Sequence, residues 1–169
     1  MRQIKINSET GSELITTQNV KDYVRIDTSE DDTLIGQMIV QARIWCENYI
    51  SRDIVAKNRT YYLDKTNGIF DLPFAPVASI SSLSIDGTSA DYTVLGLDNE
   101  TIELDGGAAE KVSVTYVTSG LDNGLIKQAM LQLISTYYDN RSDFKTGTIV
   151  SKVPTNVKAV LASYKSMFV

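Results

Sequence analysis

The chain has 169 residues, 43% hydrophobic and 22% charged, with 16 Lys and Arg set against 21 Asp and Glu for a net charge of −5. That size removes roughly two-thirds of the unfolded surface from water without any covalent staple, and no apolar run approaches the ~20 residues that span a bilayer. An acidic chain lacks the basic face that displaces counterions from DNA, so gripping nucleic acid is excluded, whereas a weakly negative wall lets a polyanion slide past.

The amino terminus, Met1-Arg2-Gln3-Ile4-Lys5, runs into polar residues. It does not read as a secretory signal, and synthesis in a cytosol is the expectation. A short helix follows, from Gln18 to Arg25, with Thr16 or Thr17 as N-cap and Val20, Tyr23 and Val24 as its apolar face. A much longer one opens after Thr28-Ser29, where Glu30, Asp31 and Asp32 complement the positive helix end. Its stripe is Ile35, Met38, Ile39, Ala42, Trp45, Cys46 and Tyr49, predicting about six turns that end near Arg52. Cys46, the single cysteine, lies in that stripe and reads as a small buried hydrophobe.

From Asn58 the period changes to two. Thr60 and Tyr62 oppose Tyr61 and Leu63; Asn67-Gly68 is a hairpin-type pair, and Leu83 and Ile85 alternate with serines before Asp86-Gly87. Tyr92 to Leu95, Thr101 to Leu104 and Lys111 to Val117 bring the total to about six short strands, the last directing Val112, Val114 and Tyr116 to one side. The connections are too short for helical crossovers, so the pairing should be antiparallel.

Asp122-Asn123-Gly124 opens a second long helix with Leu125, Ile126, Ala129, Met130, Leu133, Ile134, Tyr137 and Tyr138 on one face. Residues 142–153 carry no helical stripe and read as a loop. Pro154 starts a last short helix bearing Val157, Val160, Leu161 and Tyr164. The expected fold is α+β: a small bundle of about four helices, two long and two short, with an antiparallel β insertion of about six short strands between the second and third helices. Its divisions are an N-terminal helical region (1–56), the insertion (57–118) and a C-terminal helical region (119–169), forming one compact domain plus insertion.

Charge is unevenly spread. Residues 66–110 hold eight acids (Asp71, Asp86, Asp91, Asp98, Glu100, Glu103, Asp105, Glu110) and no base, while residues 144–169 hold Lys145, Lys152, Lys158 and Lys165 and no acid. Such a molecule can meet a copy of itself, negative region against positive tail.

Reactive constellations are lacking. With no histidine, the commonest general base and every Ser/His or Cys/His pair are gone. Glu30-Asp31-Asp32 fans around a helix start and reads as capping. Asp98, Glu100, Glu103 and Asp105 lack the ligand spacing and central glycine of a calcium loop. The glycines sit at turns, without the loop-to-helix arrangement of a phosphate cradle. No enzyme, cofactor or metal is expected, and a hydrolase built on paired carboxylates is the weakest reading. Tyr164 and Phe168, among basic residues, read as exposed aromatic anchors for a partner. A different reading keeps the Tyr-, Asp- and Asn-rich β segment as a carbohydrate- or calcium-binding module.

Val20-Lys21-Asp22-Tyr23-Val24-Arg25-Ile26-Asp27, then Glu30-Asp31-Asp32, Leu34-Ile35, Ala42-Arg43, Tyr49-Ile50 and Arg52, resemble the opening of the head-tail connector (adaptor) proteins of tailed bacteriophages. Ile126-Lys127-Gln128-Ala129, Tyr137-Tyr138-Asp139-Asn140-Arg141 and the stretch from Pro154 to Tyr164 resemble that family's long third helix and terminal helix. The middle, with Leu72-Pro73, Pro76-Val77 and Val112 to Tyr116, is similar to the β insertion of its longer members. The resemblance implies a virion component at the head-tail interface: a homo-oligomeric ring docked on the portal protein, extending the DNA channel and presenting a surface to a stopper or tail-completion protein. It also implies twelve-fold symmetry, a monomer when free, DNA passing without sequence-specific binding, and no membrane. The partner-interface residues it implies are Phe144, Lys145, Ile149, Val150, Lys152, Lys158, Tyr164, Lys165 and Phe168.

Overall fold

The computed structural model describes residues 1–140 and 155–166. Its elements run β1 (Arg2–Glu9), α1 (Thr17–Val24), α2 (Asp32–Ile50), β2 (Lys57–Thr66), β3 (Ile69–Asp71), β4 (Val77–Ile85), β5 (Thr88–Ser89), β6 (Tyr92–Leu95), β7 (Thr101–Leu104), β8 (Ala109–Thr118), α3 (Gly124–Asp139) and α4 (Thr155–Ala162). The α+β class holds, with antiparallel strands between α2 and α3. The amino-terminal strand β1 is an addition, carried by only two aliphatic residues, Ile4 and Ile6, at alternate positions. The described residues divide into two compact units: one of Met1–Ser12 and Ser51–Leu121, the other of Glu13–Ile50 and Asp122–Ser166.

In the helical unit, Thr16 and Asn19 form a reciprocal cap at the start of α1. The Asn19 N–H donates to Thr16 Oγ1 at 3.2 Å and the Thr16 N–H to Asn19 Oδ1 at 3.0 Å. Arg25 ends the helix in the left-handed region, φ 62°. α2 begins as the Ile35 N–H reaches the Asp31 carbonyl at 2.8 Å. Its buried face is Ile35, Met38, Ile39, Ala42, Arg43, Cys46, Glu47 and Ile50, which packs on α3; α4 and α1 each touch both long helices. The expected stripe is therefore corrected at two places: Trp45 and Tyr49 are only half-buried and stack on each other, centroids 5.4 Å apart and planes 8° from parallel. At 3.6 residues per turn the inward line passes over Arg43 and Glu47 and leaves these aromatics on its flank.

In the β unit, one sheet has the order β1-β2-β8-β4-β5 and the other β3-β7-β6, with antiparallel pairing throughout their ladders. Between them lie Tyr61, Leu63, Leu72, Val77, Leu83, Ile102, Leu104, Val112, Val114 and Tyr116. Val112, Val114 and Tyr116 are fully buried, as the alternation of the last strand predicts, and burying each stabilises by about 1.5–3 kcal/mol. The Tyr116 hydroxyl donates to the Pro73 carbonyl at 2.7 Å.

Asp86-Gly87 is the hairpin turn expected of it: Ile85 pairs with Thr88, and φ is 48° and 83° at the two central residues, the conformation that matches strand twist. Asn67-Gly68 is not. Its flanking strands pair elsewhere, β2 with β1 and β8, and β3 with β7, so this turn carries the chain from one sheet to the other.

Candidate functional site

Only a portion of the terminal segment falls within the described residues. Phe144, Lys145, Ile149, Val150, Lys152 and Phe168 lie outside them, whereas Lys158, Tyr164 and Lys165 are placed. α4 is held by Val157 and Leu161, both fully buried in the helical unit, which leaves Lys158 exposed on the far side. After the helix the Ser166 N–H donates to the Ile50 carbonyl at 2.8 Å.

Tyr164 is half-buried, not the free anchor that its basic neighbourhood suggests. Its hydroxyl donates to Asn123 Oδ1 at 3.0 Å, the same oxygen that caps α3 by accepting from the Leu125 N–H at 2.8 Å. One side chain thus caps a long helix and tethers the terminal segment. Lys165 is exposed and sets its Nζ 5.6 Å from the centroid of the Tyr49 ring, a contact that orients a lysine without neutralising it.

Asp71, Asp86, Asp91, Glu103, Asp105 and Glu110 are all exposed in the β unit, while Asp98 and Glu100 are half-buried. Asp86 pairs with Lys111 at 2.9 Å and Glu110 with Lys65 at 3.1 Å. The hydrogen bond that the Lys111 ammonium donates to Asp86, and then the charge of that carboxylate, raise the Lys111 pKa.

Two charge clusters escape a reading of the sequence because they sit on positions that periodicity assigns to apolar residues. Asp53, 1% exposed, accepts from Arg59 at 2.6 and 2.8 Å, from Lys57 at 3.2 Å and from the Thr118 hydroxyl at 2.8 Å. Arg59 also lies 3.8 Å from the centroid of the Phe74 ring. On α2, Arg43 bonds both Glu13 oxygens at 2.9 and 3.0 Å and Glu47 at 3.2 Å. The available signal was spacing: acid and base four apart in both Asp53/Lys57 and Arg43/Glu47.

The thiol and several phenols are held neutral by burial. Burial, then the neighbouring Glu47 charge, pushes the Cys46 thiol up to about 12. Burial likewise raises the Tyr116, Tyr61 and Tyr137 hydroxyls. A thiol so placed is not a nucleophile at neutral pH. Among the described residues no three of His, Cys, Asp and Glu are grouped to hold a metal ion, and no helix is long and apolar enough to cross a membrane.

The fold has close counterparts among solved structures. It superposes with a TM-score of 0.78 at 18% identity on a chain from the neck of an empty gene transfer agent (GTA) particle computed with C6 symmetry, covering 99% of this chain and 97% of that one. A chain of the virion of a native GTA particle gives 0.73 at 17% identity, covering 99% and 97%. A chain of the neck of a native GTA particle computed with C12 symmetry gives 0.71 at 17%, covering 96% of each. No curated protein matches the sequence. The chain belongs to the head completion protein family, whose model it matches over residues 13–167.

Proposed function

We propose that this head completion protein is a structural neck component of a phage-like particle. In this reading copies form a ring beneath the portal that extends the DNA channel and gives the next stopper or tail-completion protein its seat. The observation that carries the reading is the family match across residues 13–167, which runs through both units. The fold it shares with chains from GTA necks computed with C6 and C12 symmetry supports a ring, with twelve subunits as the expected number.

A ring needs a head-to-tail contact that closes, and acids in the β unit against lysines in the terminal segment supply unlike charges for it. The contact residues assigned to portal and neighbouring subunit are Phe144, Lys145, Ile149, Val150, Lys152, Lys158, Lys165 and Phe168, with Tyr164 acting from its tether on Asn123. The chain acts as a building piece and turns over no substrate. DNA slides past a wall of net negative charge without base-specific contacts.

The test is to mix the purified chain with the portal of the same particle and size the product by sedimentation and electron microscopy. A ring stacked on the portal is expected; the free chain should be mostly monomer. A chain that never associates with the portal, alone or in filled heads, overturns the reading.

A further inference from the structure

β6 and β7 pair from Tyr92 opposite Leu104 to Leu95 opposite Thr101, and the loop that joins them reads Gly96-Leu97-Asp98-Asn99-Glu100. Leu97 is 102% exposed, the most exposed large apolar side chain among the described residues, and Val94 and Leu95 beside it are 40% and 39% exposed. Three of four consecutive residues therefore put aliphatic surface into water at one end of the small sheet.

The loop under that surface is clamped. The Leu72 N–H donates to the Glu100 carbonyl at 2.6 Å and the Val77 N–H to the Asp98 carbonyl at 2.9 Å. The Asp98 N–H donates to Glu100 Oε2 at 2.9 Å, and Arg52 Nη1 to Asp98 Oδ2 at 3.3 Å. Gly96, at φ 90°, leaves room for the Glu100 carboxylate, which would lie 2.6 Å from a Cβ there. Both carboxylates next to the tip are thus engaged in holding it, and only aliphatic groups are presented.

A lone leucine on a slack loop is ordinary. On a clamped loop its burial costs no further ordering of the chain, which is the condition for an anchor residue. Behind the tip the same hairpin exposes Asp91, Glu103 and Asp105, and no Lys or Arg occurs from residue 66 to 110. That field favours a cationic rim around whatever receives the tip and opposes an anionic lipid surface.

We propose that Val94, Leu95 and Leu97 form a docking knob for a protein partner whose surface offers an apolar hollow rimmed by Lys or Arg. The proposal rests on the neck reading for the place where that partner is met, the assembled particle.

The test footprints the full chain with hydroxyl radicals, free and in purified particles, and reads side-chain oxidation by mass spectrometry. Leu97 should be readily oxidised in the free chain and shielded about tenfold in the particle. Leu97→Asp should lower incorporation into particles about tenfold while Leu97→Met retains it, and both variants should melt with the parent because the side chain touches nothing in the free chain. In a second arm the free chain meets a synthetic amphipathic Leu/Lys helical peptide, which should shield Leu97 in the parent and not in Leu97→Asp; its Leu/Glu counterpart should not. Equal shielding by the two peptides, or Leu97→Asp particles assembled at the parent level, overturns the proposal. Shielding by phosphatidylglycerol vesicles, or by raising the concentration of the free chain, assigns the knob to a membrane or to a second copy and overturns it as well. A chain built into particles with Leu97 still open to oxidation sinks this inference alone. One that takes the Leu/Lys peptide at Leu97 yet never enters a particle sinks the neck reading alone.

Discussion

Asp53 shows how much a single carboxylate can carry. Its side chain is fully buried, with Lys57 and Arg59 3% and 5% exposed beside it. Replacing it by Asn leaves two buried cations without their shared counter-charge, a change that costs about 3–5 kcal/mol. Urea denaturation followed by circular dichroism checks this, and a loss under about 1 kcal/mol would mean that the cluster relaxes into water. Cys46 makes a different prediction, in pH. Its ordinary value of 9.0 is pushed up to about 12 by burial, so the unfolded thiol ionises first. The stability it contributes is fully present below pH 9 and drains away as pH rises toward 12; Tyr61, Tyr116 and Tyr137, also raised, act in the same direction. Melting temperature should therefore fall steeply above about pH 9, and Cys46→Ala should fall less steeply than the parent. Parallel profiles for the two proteins would remove the thiol from the account.

α4 looks from sequence like an appendage for partners, yet its inner side is structural. Val157 and Leu161 are fully buried, so Leu161→Ala should cost about 2–5 kcal/mol, and a chain cut before residue 154 should melt earlier as well as lose docking. A truncated chain as stable as the parent would return α4 to the role of a free arm. Much of this architecture is legible from periodicity. The helix stripes of α2 and α3, the Thr16 cap and the alternation of Val112, Val114 and Tyr116 each follow from local spacing. What spacing does not show is partner choice across distance. β3 pairs with β7, not with its sequence neighbour β2, because Phe70 and Leu72 face a core closed by strands thirty residues on. β1 is faint to periodicity because only Ile4 and Ile6 alternate in it and every position is exposed. Lys57 and Arg59 are hidden for the opposite reason: a buried strand position normally takes an apolar residue, and partners such as Asp53 and the Phe74 ring, which spacing along the strand does not reveal, make these two tolerable. Of the proposed contact residues that are described, Lys158 and Lys165 are exposed as their type suggests, whereas Tyr164 is half-buried with its hydroxyl on Asn123, a pairing across forty residues that spacing does not show.

Assembly should carry the electrostatic signature of the sequence. Six exposed acids in residues 66–110 and four lysines in residues 144–169 attract between copies over distances comparable to the screening length, about 10 Å at 0.1 M salt and about 3 Å at 1 M. Contacts of this kind fix orientation and speed encounter more than they add affinity, so raising salt should slow ring formation on the portal more than it loosens a finished ring. Stopped-flow light scattering from roughly 0.05 M to about 1 M salt, a span that takes the screening length from well above to well below the contact distances, separates the two. The association rate should fall by about tenfold or more while dissociation changes little. Replacing Lys145, Lys152, Lys158 and Lys165 by Gln should give the high-salt rate at every ionic strength. If that variant keeps the full salt dependence, the steering charges lie elsewhere on the molecule, and the pairing of acidic β unit with basic tail is wrong even where the ring still forms.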